Sequence, residues 1–523
     1  MKILEKSENG KVTSTIVSAG RVSTYSEPNV VKAASHGSLL NFLRKVFLPT
    51  GYPHTVSPDY TRYQVLNALQ EFCSSLAGML SSRATLEGYG VGNASASATN
   101  ALLLSVLQDI FGRLMTIAAA YHFGSSLMPE AKTYRFVADL LIDAAIILDT
   151  LAPLLVSLPA LASLTNTVPI PFRIYIIFFS SGFRALCGIA AGGSKTAITL
   201  HFATPVDGTL GNVGDLNAKG ASSETVLSLM GMTLGTIIVP YLTSPLSTYI
   251  ALVILVAAHL SINFAAVQGI VFRTLNRQRA CLGWMIYRDY ESARSTSGDA
   301  KNLPLHLTPS AIAKYERIFH RPDRIYDPLS GSNIGRCTIG SSLGSVFTRA
   351  KTPEKVIDIF TKEKYILWFD PACLVTLGVP NSSRNLIARP HLHIILKDGH
   401  KPGDQLKAWL HATELARILE KQNQNYRREL RDQVQRALGD GGNGQVTLAT
   451  LEEPQAPEAL IASTHQLIDE NYSHFIQMMH KTGWATTNEK GALELVVALL
   501  TIPPESVIID ILDDEDGELK KEK

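Results

Sequence analysis

Residues 225–272 run for 48 positions without an Asp, Glu, Lys or Arg. A bilayer core takes about 20 apolar residues per helical span, so this stretch is long enough for two. Pro240 and Pro245 supply a turn between them. A helix bathed in water keeps one polar face, and neither half of this run offers one. The feature says where the chain works better than what it does.

The rest of the chain divides around that run. Charged residues are 18% of the whole, below the roughly 25% of ordinary globular domains, and the deficit is concentrated in residues 64–272. Six apolar helices are predicted over residues 63–86, 95–123, 133–164, 170–203, 222–243 and 246–280. Alternate connections carry the basic residues. Arg44, Lys45 and Arg62 precede the first helix, Lys132 and Arg135 follow the second, Lys219 follows the fourth, and Arg273, Arg277, Arg279 and Arg288 follow the sixth. The opposite connections hold Glu87 and no Lys or Arg. This is the positive-inside pattern. It predicts a multi-pass membrane protein with both termini on the cytoplasmic or equivalent side. A large helical bundle in water, with two buried helices, remains the alternative.

The expected fold class is therefore mainly α: a polytopic helical membrane domain of about six spans, then a small α+β soluble domain. The expected boundaries are a flexible arm over 1–45, the helical domain over 46–285, a linker over 286–350, an α+β domain over 351–512 with a loop at 439–458, and a charged tail over 513–523. Within the α+β domain, strands are predicted at 365–369 and 391–396. Helices are predicted at 352–362, 402–438 and 463–482.

Few residues point to chemistry. A net charge of +2 gives no field for nucleic acid, and no nucleic-acid partner is expected. The five cysteines are scattered without a CxxC pair, which argues against a zinc cluster. Gly188-Ile-Ala-Ala-Gly-Gly-Ser-Lys-Thr196 imitates a phosphate loop, but Ser194 stands where that motif needs Lys. His391 and His393 share a strand face without a third ligand at diagnostic spacing. No metal, no cofactor and no catalytic residue is assigned, and the chain is expected not to be an enzyme. Charged residues inside predicted spans are costly and usually line a polar path. The candidate polar cavity is therefore Asp109, Arg113, Asp139, Asp143, Arg184 and Lys195. Asp139 and Asp143, four apart, share one helix face. Snorkelling or simple helix-to-helix pairing is the competing explanation.

Several segments resemble the root UVB sensitive family. They are Phe47-Leu-Pro-Thr-Gly-Tyr-Pro-His-Thr-Val-Ser-Pro-Asp-Tyr60; Leu76-Ala-Gly-Met-Leu-Ser-Ser-Arg-Ala84 with Leu86-Glu-Gly-Tyr-Gly-Val-Gly92; Tyr134-Arg-Phe-Val-Ala-Asp-Leu-Leu-Ile-Asp143; the glycine segment from Cys187 to Ala203; and Asp215-Leu-Asn-Ala-Lys219 with Ser222-Ser-Glu-Thr225. The last makes Asp215, Lys219 and Glu224 a family-motif loop. Asn93, Lys195 and Ser223 stand where the family often has Asp, Arg and Gln. The resemblance implies membrane association and, from plant members, a link to vitamin B6 homeostasis, light stress and auxin transport. It brings no catalytic residues. It leaves two expectations for function. One is a carrier-like or homeostasis factor for a small metabolite. The other is a membrane-anchored scaffold recruiting a soluble partner such as a pyridoxal-phosphate enzyme. The expected partners are the lipid bilayer and a second copy or another family member, as a homo-dimer or hetero-oligomer.

Overall fold

The structure is a computed structural model of the chain. It describes residues 2–6, 12–18, 21–26, 44–88, 98–157, 172–205, 211–296, 307–347, 353–369, 389–439, 456–489, 492–497 and 507–510. The chain divides into two compact units, Met1–Val271 and Phe272–Lys523.

The first unit opens with three strands: β1 (Lys2–Lys6), β2 (Val12–Ser18) and β3 (Arg21–Ser26). They form an antiparallel meander, where a flexible arm is expected from the mixture of Lys, Glu and Ser. The β-branched run Val12, Thr13, Thr15, Ile16 and Val17 favours the pleated backbone. Six helices follow: α1 (Tyr60–Gly88), α2 (Ala98–Phe123), α3 (Ala131–Ser157), α4 (Phe172–Phe202), α5 (Val213–Ile238) and α6 (Pro245–Gln268). Asn212 accepts the Asp215 N–H to start α5, and Ser244 accepts the Ser247 N–H to start α6 just before Pro245. Both are side-chain caps for otherwise unsatisfied first-turn donors.

Four segments are long and apolar enough to cross a bilayer: Leu102–Ser126, Ile174–Phe202, Val213–Tyr241 and Pro245–Gln268. Where six spans are expected, the described α1 and α3 fall outside that group. α1 carries Arg62, Glu71, Arg83 and Glu87; α3 carries Lys132, Arg135, Asp139, Asp143 and Asp149. These two are the inner helices. α1 packs against α3, α5 and α6, and α3 packs against α1, α4 and α6. α2 packs chiefly against α4, with only 6% of its apolar window buried. On α5, Gly231 and Gly235 bring the backbone close to α1. A Cβ at Gly231 would lie 2.7 Å from the Phe72 carbonyl oxygen, and one at Gly235 would lie 3.0 Å from Met79 Cγ.

The sixth helix is expected to run to residue 280, but it stops at Gln268 with Gly269 as its cap. The next helix, α7 (Arg277–Thr296), belongs to the second unit, where Asn276 Oδ1 accepts the Arg279 N–H at its start. That unit continues with α8 (Pro309–Ala313), β4 (Arg324–Tyr326), β5 (Asn333–Ile339), α9 (Leu343–Phe347), α10 (Pro353–Ile359), β6 (Tyr365–Phe369), β7 (His391–Lys397), α11 (Pro402–Gly439), α12 (Pro457–Lys481), β8 (Thr486–Glu489), β9 (Ala492–Leu495) and β10 (Ile508–Ile509). Within the expected linker over 286–350, the described residues include α8, β4, β5 and α9, and β4 and β5 are sheet strands. A three-residue strand (Arg324–Tyr326) and a strand broken by Gly335 and Arg336 show little two-residue periodicity, so the sequence alone reads them as a linker. β7 is central. β5 lies parallel to its first half and β10 parallel to its end, while β6 runs antiparallel along its other side. Helix α11 packs against this sheet and against α7 and α12. Trp284, Trp409, Trp484, Phe360, Phe369 and Phe475 fill the core. The expected loop at 439–458 lies mainly, and the tail at 513–523 wholly, outside the described residues.

Candidate functional site

Inside the six-helix bundle lies a cavity of about 390 Å³. Its walls mix polar and charged side chains with apolar ones such as Ile142, Ile198, Phe202 and Leu216. α1 contributes Tyr60, Tyr63, Gln64, Asn67 and Glu71; α3 contributes Arg135 and Asp139. α4 adds Cys187, Lys195 and Thr199, α5 adds Asn217 and Glu224, and α6 adds His259. The i, i+4 spacing of Tyr63, Asn67 and Glu71 puts all three on one face of α1, as it does for Asp139 and Asp143 on α3.

These groups form one continuous network. Lys195 Nζ donates to both Glu224 oxygens at 2.9 and 2.8 Å. Asn67 Nδ2 donates to Glu224 Oε1 at 2.7 Å, and Asn67 Oδ1 accepts from Arg135 Nη2 at 3.0 Å. Arg135 Nη1 reaches Asp139 Oδ1 at 3.1 Å, and Arg135 Nε reaches Tyr63 Oη at 3.4 Å. Asp139 Oδ2 accepts from Asn263 Nδ2. Below Asp139, Asp143 Oδ2 meets His259 Nδ1 at 2.8 Å. A buried charge is tolerated when paired and hydrogen-bonded, and this network supplies both conditions across five helices.

The candidate residues separate on this map. Asp139 and Lys195 line the cavity and Glu224 faces it from α5; Asp143 sits behind His259. Arg184 does not join Asp143. It pairs with Asp149 at 2.7 Å and donates to Ser81 Oγ at 3.1 Å. Asp149 is six residues past Asp143, about 120° round the helix, so the two acids face different neighbours. Asp109 and Arg113 are exposed on α2 and are not among the cavity-lining residues. Asp215 accepts from Thr50 N–H at 2.7 Å and Thr50 Oγ1 at 3.1 Å. Lys219 donates to the Lys45 carbonyl. Both tie the start of α5 to the segment that precedes α1.

Asn67, Tyr63, His259 and Asn263 are absent from the sequence-based candidates. The last two carried a usable signal. The uncharged run contains one His and one Asn, four apart, matching the spacing of Asp139 and Asp143.

Other chemistry fits poorly. The glycine segment that imitates a phosphate loop is continuous helix within α4, and a Cβ at Gly193 would lie 2.5 Å from the Leu127 side chain. In the second unit Glu363, His465 and Asp469 cluster as three metal-type ligands. Lys407 Nζ already sits 2.6 Å from Glu363 and 2.7 Å from Asp469, so an ammonium occupies the place a cation would take. His391 and His393 bond to Thr338 and Ser341 hydroxyls at 2.8 and 3.0 Å. Burial pushes the Cys281 and Cys337 thiols up to about 12, which removes them as nucleophiles.

Two family profiles match the chain. Residues 33–291 match the vitamin B6 photo-protection and homoeostasis domain, and residues 335–490 match the root UVB sensitive protein C-terminal domain. The chain belongs to the root UVB sensitive family. "RUS family member 1" of Dictyostelium discoideum is 30% identical over 323 residues, covering 60% of this chain and 55% of that protein. "Protein root UVB sensitive 3" of Arabidopsis thaliana is 26% identical over 426 residues, covering 80% and 85%. "Protein root UVB sensitive 2, chloroplastic" of the same plant is 28% identical over 244 residues, covering 46% and 51%. No solved structure matches the chain. The segments that resemble the root UVB sensitive family converge on the cavity. The Tyr134–Asp143 segment brings Arg135 and Asp139 to the wall and Asp143 behind His259, and the glycine segment brings Cys187, Lys195 and Thr199. The following motif, with Asp215, Lys219 and Glu224 on helix α5 where a loop is expected, brings Glu224. The Pro-rich lead-in ends at Asp59, whose Oδ2 accepts from Val271 N–H at 2.8 Å and meets His201 Nε2 at 2.9 Å. It ties the chain on either side of the bundle together.

Proposed function

We propose that this chain is a non-enzymatic, multi-pass membrane protein whose helical unit binds a small polar metabolite and acts as a carrier-like homeostasis factor. The observation that carries the reading is the cavity of about 390 Å³ with charged walls, inside helices whose outer faces are apolar. That volume lies at the lower end of the usual range for small-molecule sites, about 300–1,000 Å³. The description of the matched domain makes vitamin B6 compounds the first ligands to try. In this reading all six helices span. α1 and α3 cross because α2, α4, α5 and α6 screen their charges from lipid, and both termini share the cytoplasmic or equivalent side.

Cys187 on the cavity wall makes the reading testable. The full chain, carrying Cys373→Ser, is reconstituted in vesicles and labelled with a thiosulfonate. Pyridoxine or pyridoxal phosphate is expected to slow labelling of Cys187 and to accumulate in the vesicles. Labelling unaffected by either compound, with no uptake, overturns vitamin B6 as the ligand.

A further inference from the structure

Among the charges facing the cavity, two acids have cationic partners of their own. Asp139 has Arg135, and Glu224 has Lys195. Asp143 has only His259, which is a cation solely when protonated. Both are almost wholly buried, at 2% and 1% exposure. Asp143 Oδ1 and Asn263 Oδ1 are buried acceptors without a hydrogen-bond partner among the described residues. An unprotonated His259 would leave Asp143 as an uncompensated carboxylate in the bundle, which is costly. One proton on the pair removes that cost, whether it resides on the imidazole or on the carboxyl group.

The surroundings set what could replace this proton. Arg135 and Asp139 face His259 from α3, Glu71 from α1. Cys73 on α1 and Cys187 on α4 lie within electrostatic range of Asp143, and Arg184 lies within electrostatic range of Cys187. Glu224 adds its charge from α5 through Glu71. Glu71 is half-buried on the cavity wall, where water can solvate it. Excluding Arg184, which is neutralised by Asp149, the ionised acids outnumber the fixed cations Arg135 and Lys195. The space is negative once the shared proton leaves.

Resting on the cavity as a ligand site, we propose that Asp143 and His259 share one exchangeable proton, and that the cavity trades this proton for a ligand bearing a cationic nitrogen. The proton leaves from the His259 ring, whose Nε2 lies 3.8 Å from Asp139 Oδ2 at the wall. The entering positive charge takes its place, so the net charge of the site is unchanged. His259 and Asp143 are residues that hold a proton for the site. Binding of a cation therefore strengthens as pH rises, by up to about tenfold per unit for one linked proton.

The test uses the full chain in detergent micelles and the double variant Asp143→Asn, His259→Gln, whose neutral pair is easier to insert than the ionisable one. Potentiometric titration across about pH 5 to 9, bracketing the ordinary imidazole value of about 6.5, is expected to count one more proton per chain in the wild type. Equal counts overturn the proton site. The probe is 1-methylpyridinium, whose charge does not titrate, read by protection of Cys187 from a neutral thiosulfonate at about pH 6 and about pH 8. Protection is expected to strengthen at the higher pH in the wild type, and the variant is expected to show no such change. Protection independent of pH in the wild type overturns the exchange and leaves the cavity standing. No protection at either pH, with the proton count intact, overturns the cavity as a cation site and the exchange together, while the proton site survives and the cavity's affinity for vitamin B6 compounds is judged by the labelling experiment above.

Discussion

The two units bury opposite things. In the first, the interior holds Arg135, Asp139, Asp143, His259, Asn67 and Asn263, while Leu102, Leu114, Ile117, Leu229, Leu246, Val253 and Ile254 face outward. In the second, the interior is an apolar core around Trp284, Trp409 and Phe475. The large exposed apolar residues described there are few: Tyr315, Phe319, Leu329, Val507 and Ile508. The second unit also buries charge, as in the Arg279–Glu316 pair at 2.7 Å, but in addition to an extended apolar core. Packing follows solvent. Water drives apolar groups inward, whereas a hydrocarbon surrounding leaves helices to associate through close backbone approach and polar contacts. Gly231 and Gly235 against α1, and the network from Lys195 to Asp143, are the two devices that a hydrocarbon surrounding would call for.

The largest effect should come from the apolar core. Trp284→Ala leaves a cavity and frees the Glu414 carboxylate from the indole N–H that it accepts at 2.9 Å. It should cost about 3–5 kcal/mol. All four tryptophans, Trp284, Trp368, Trp409 and Trp484, lie in the second unit, so fluorescence of the intact chain in denaturant follows that unit selectively. A midpoint unchanged by the substitution would contradict the apolar-core account.

A sharper contrast comes from matched substitutions at exposed sites. Ile254 on α6 is 63% exposed and Leu329 in the second unit is 78% exposed. Ile254→Asp should cost about 2.5–3.5 kcal/mol on insertion scales if the first unit sits in lipid. Leu329→Asp should stay within about 0.5 kcal/mol. Membrane-fraction abundance of the two variants decides it, and equal abundance would remove the bilayer from the account of the first unit. Next in size is Gly231→Ala, where the new Cβ meets backbone; about 1–3 kcal/mol should be lost to overpacking. Gly188→Ala, with nothing within 4 Å, should be neutral or stabilise through helix propensity by up to about 1 kcal/mol. Thermal aggregation midpoints of the two membrane preparations compare them, and the same shift for both would mean that the helices are not in close register at Gly231.

The last contrast is acid sensitivity of the second unit. Burial holds His411 down to about 3 and His320 down to about 4, while an unfolded imidazole titrates near 6.5. As pH falls below that value the unfolded chain takes up protons that the folded one refuses, so stability falls. The loss is about 1 kcal/mol per site at one unit below. Glu363 works in a lower window. The His465 ring and the Lys407 ammonium hold its carboxyl down to about 2, so its contribution is present above the ordinary glutamate range and lost as pH falls through about 2. Tryptophan fluorescence midpoints should fall between pH 7 and pH 5.5 in wild type and Glu363→Gln alike. The advantage of the wild type over that variant should disappear between about 4.5 and about 2. A flat midpoint down to pH 5 would mean that these imidazoles are charged in the fold.

The sequence made the helices of the first unit legible because each long apolar stretch is locally encoded, but α5 starts at Val213 behind the Asn212 cap and not at the expected 222, because the polar run from Asp215 to Glu224 reads as a connection. It located Asp139, Asp143, Lys195 and Glu224 on the right elements. It could not choose between Asp143 and Asp149 as the partner of Arg184, because that depends on how α3 is rotated against α4. It also missed Asn67, which works only because α1 is the inner helix. The end of α6 at Gln268 and the strands β4 and β5 were hidden for different reasons. β5 pairs in parallel with a strand far along the chain, Arg336 opposite His391, and β4 pairs in turn with β5; short strands carry little periodicity of their own, and α6 ends at the Gly269 cap although the uncharged run continues to Phe272.

The distance between Asp143 and His259 along the chain is 116 residues. A ribosome adds about 5–20 residues per second, so α3 emerges some 6–23 seconds before the imidazole that Asp143 needs. During that interval the carboxylate must stay in water or be shielded by other groups. The polar centre is therefore the last part of the bundle to close, and α6 is the helix whose arrival completes it.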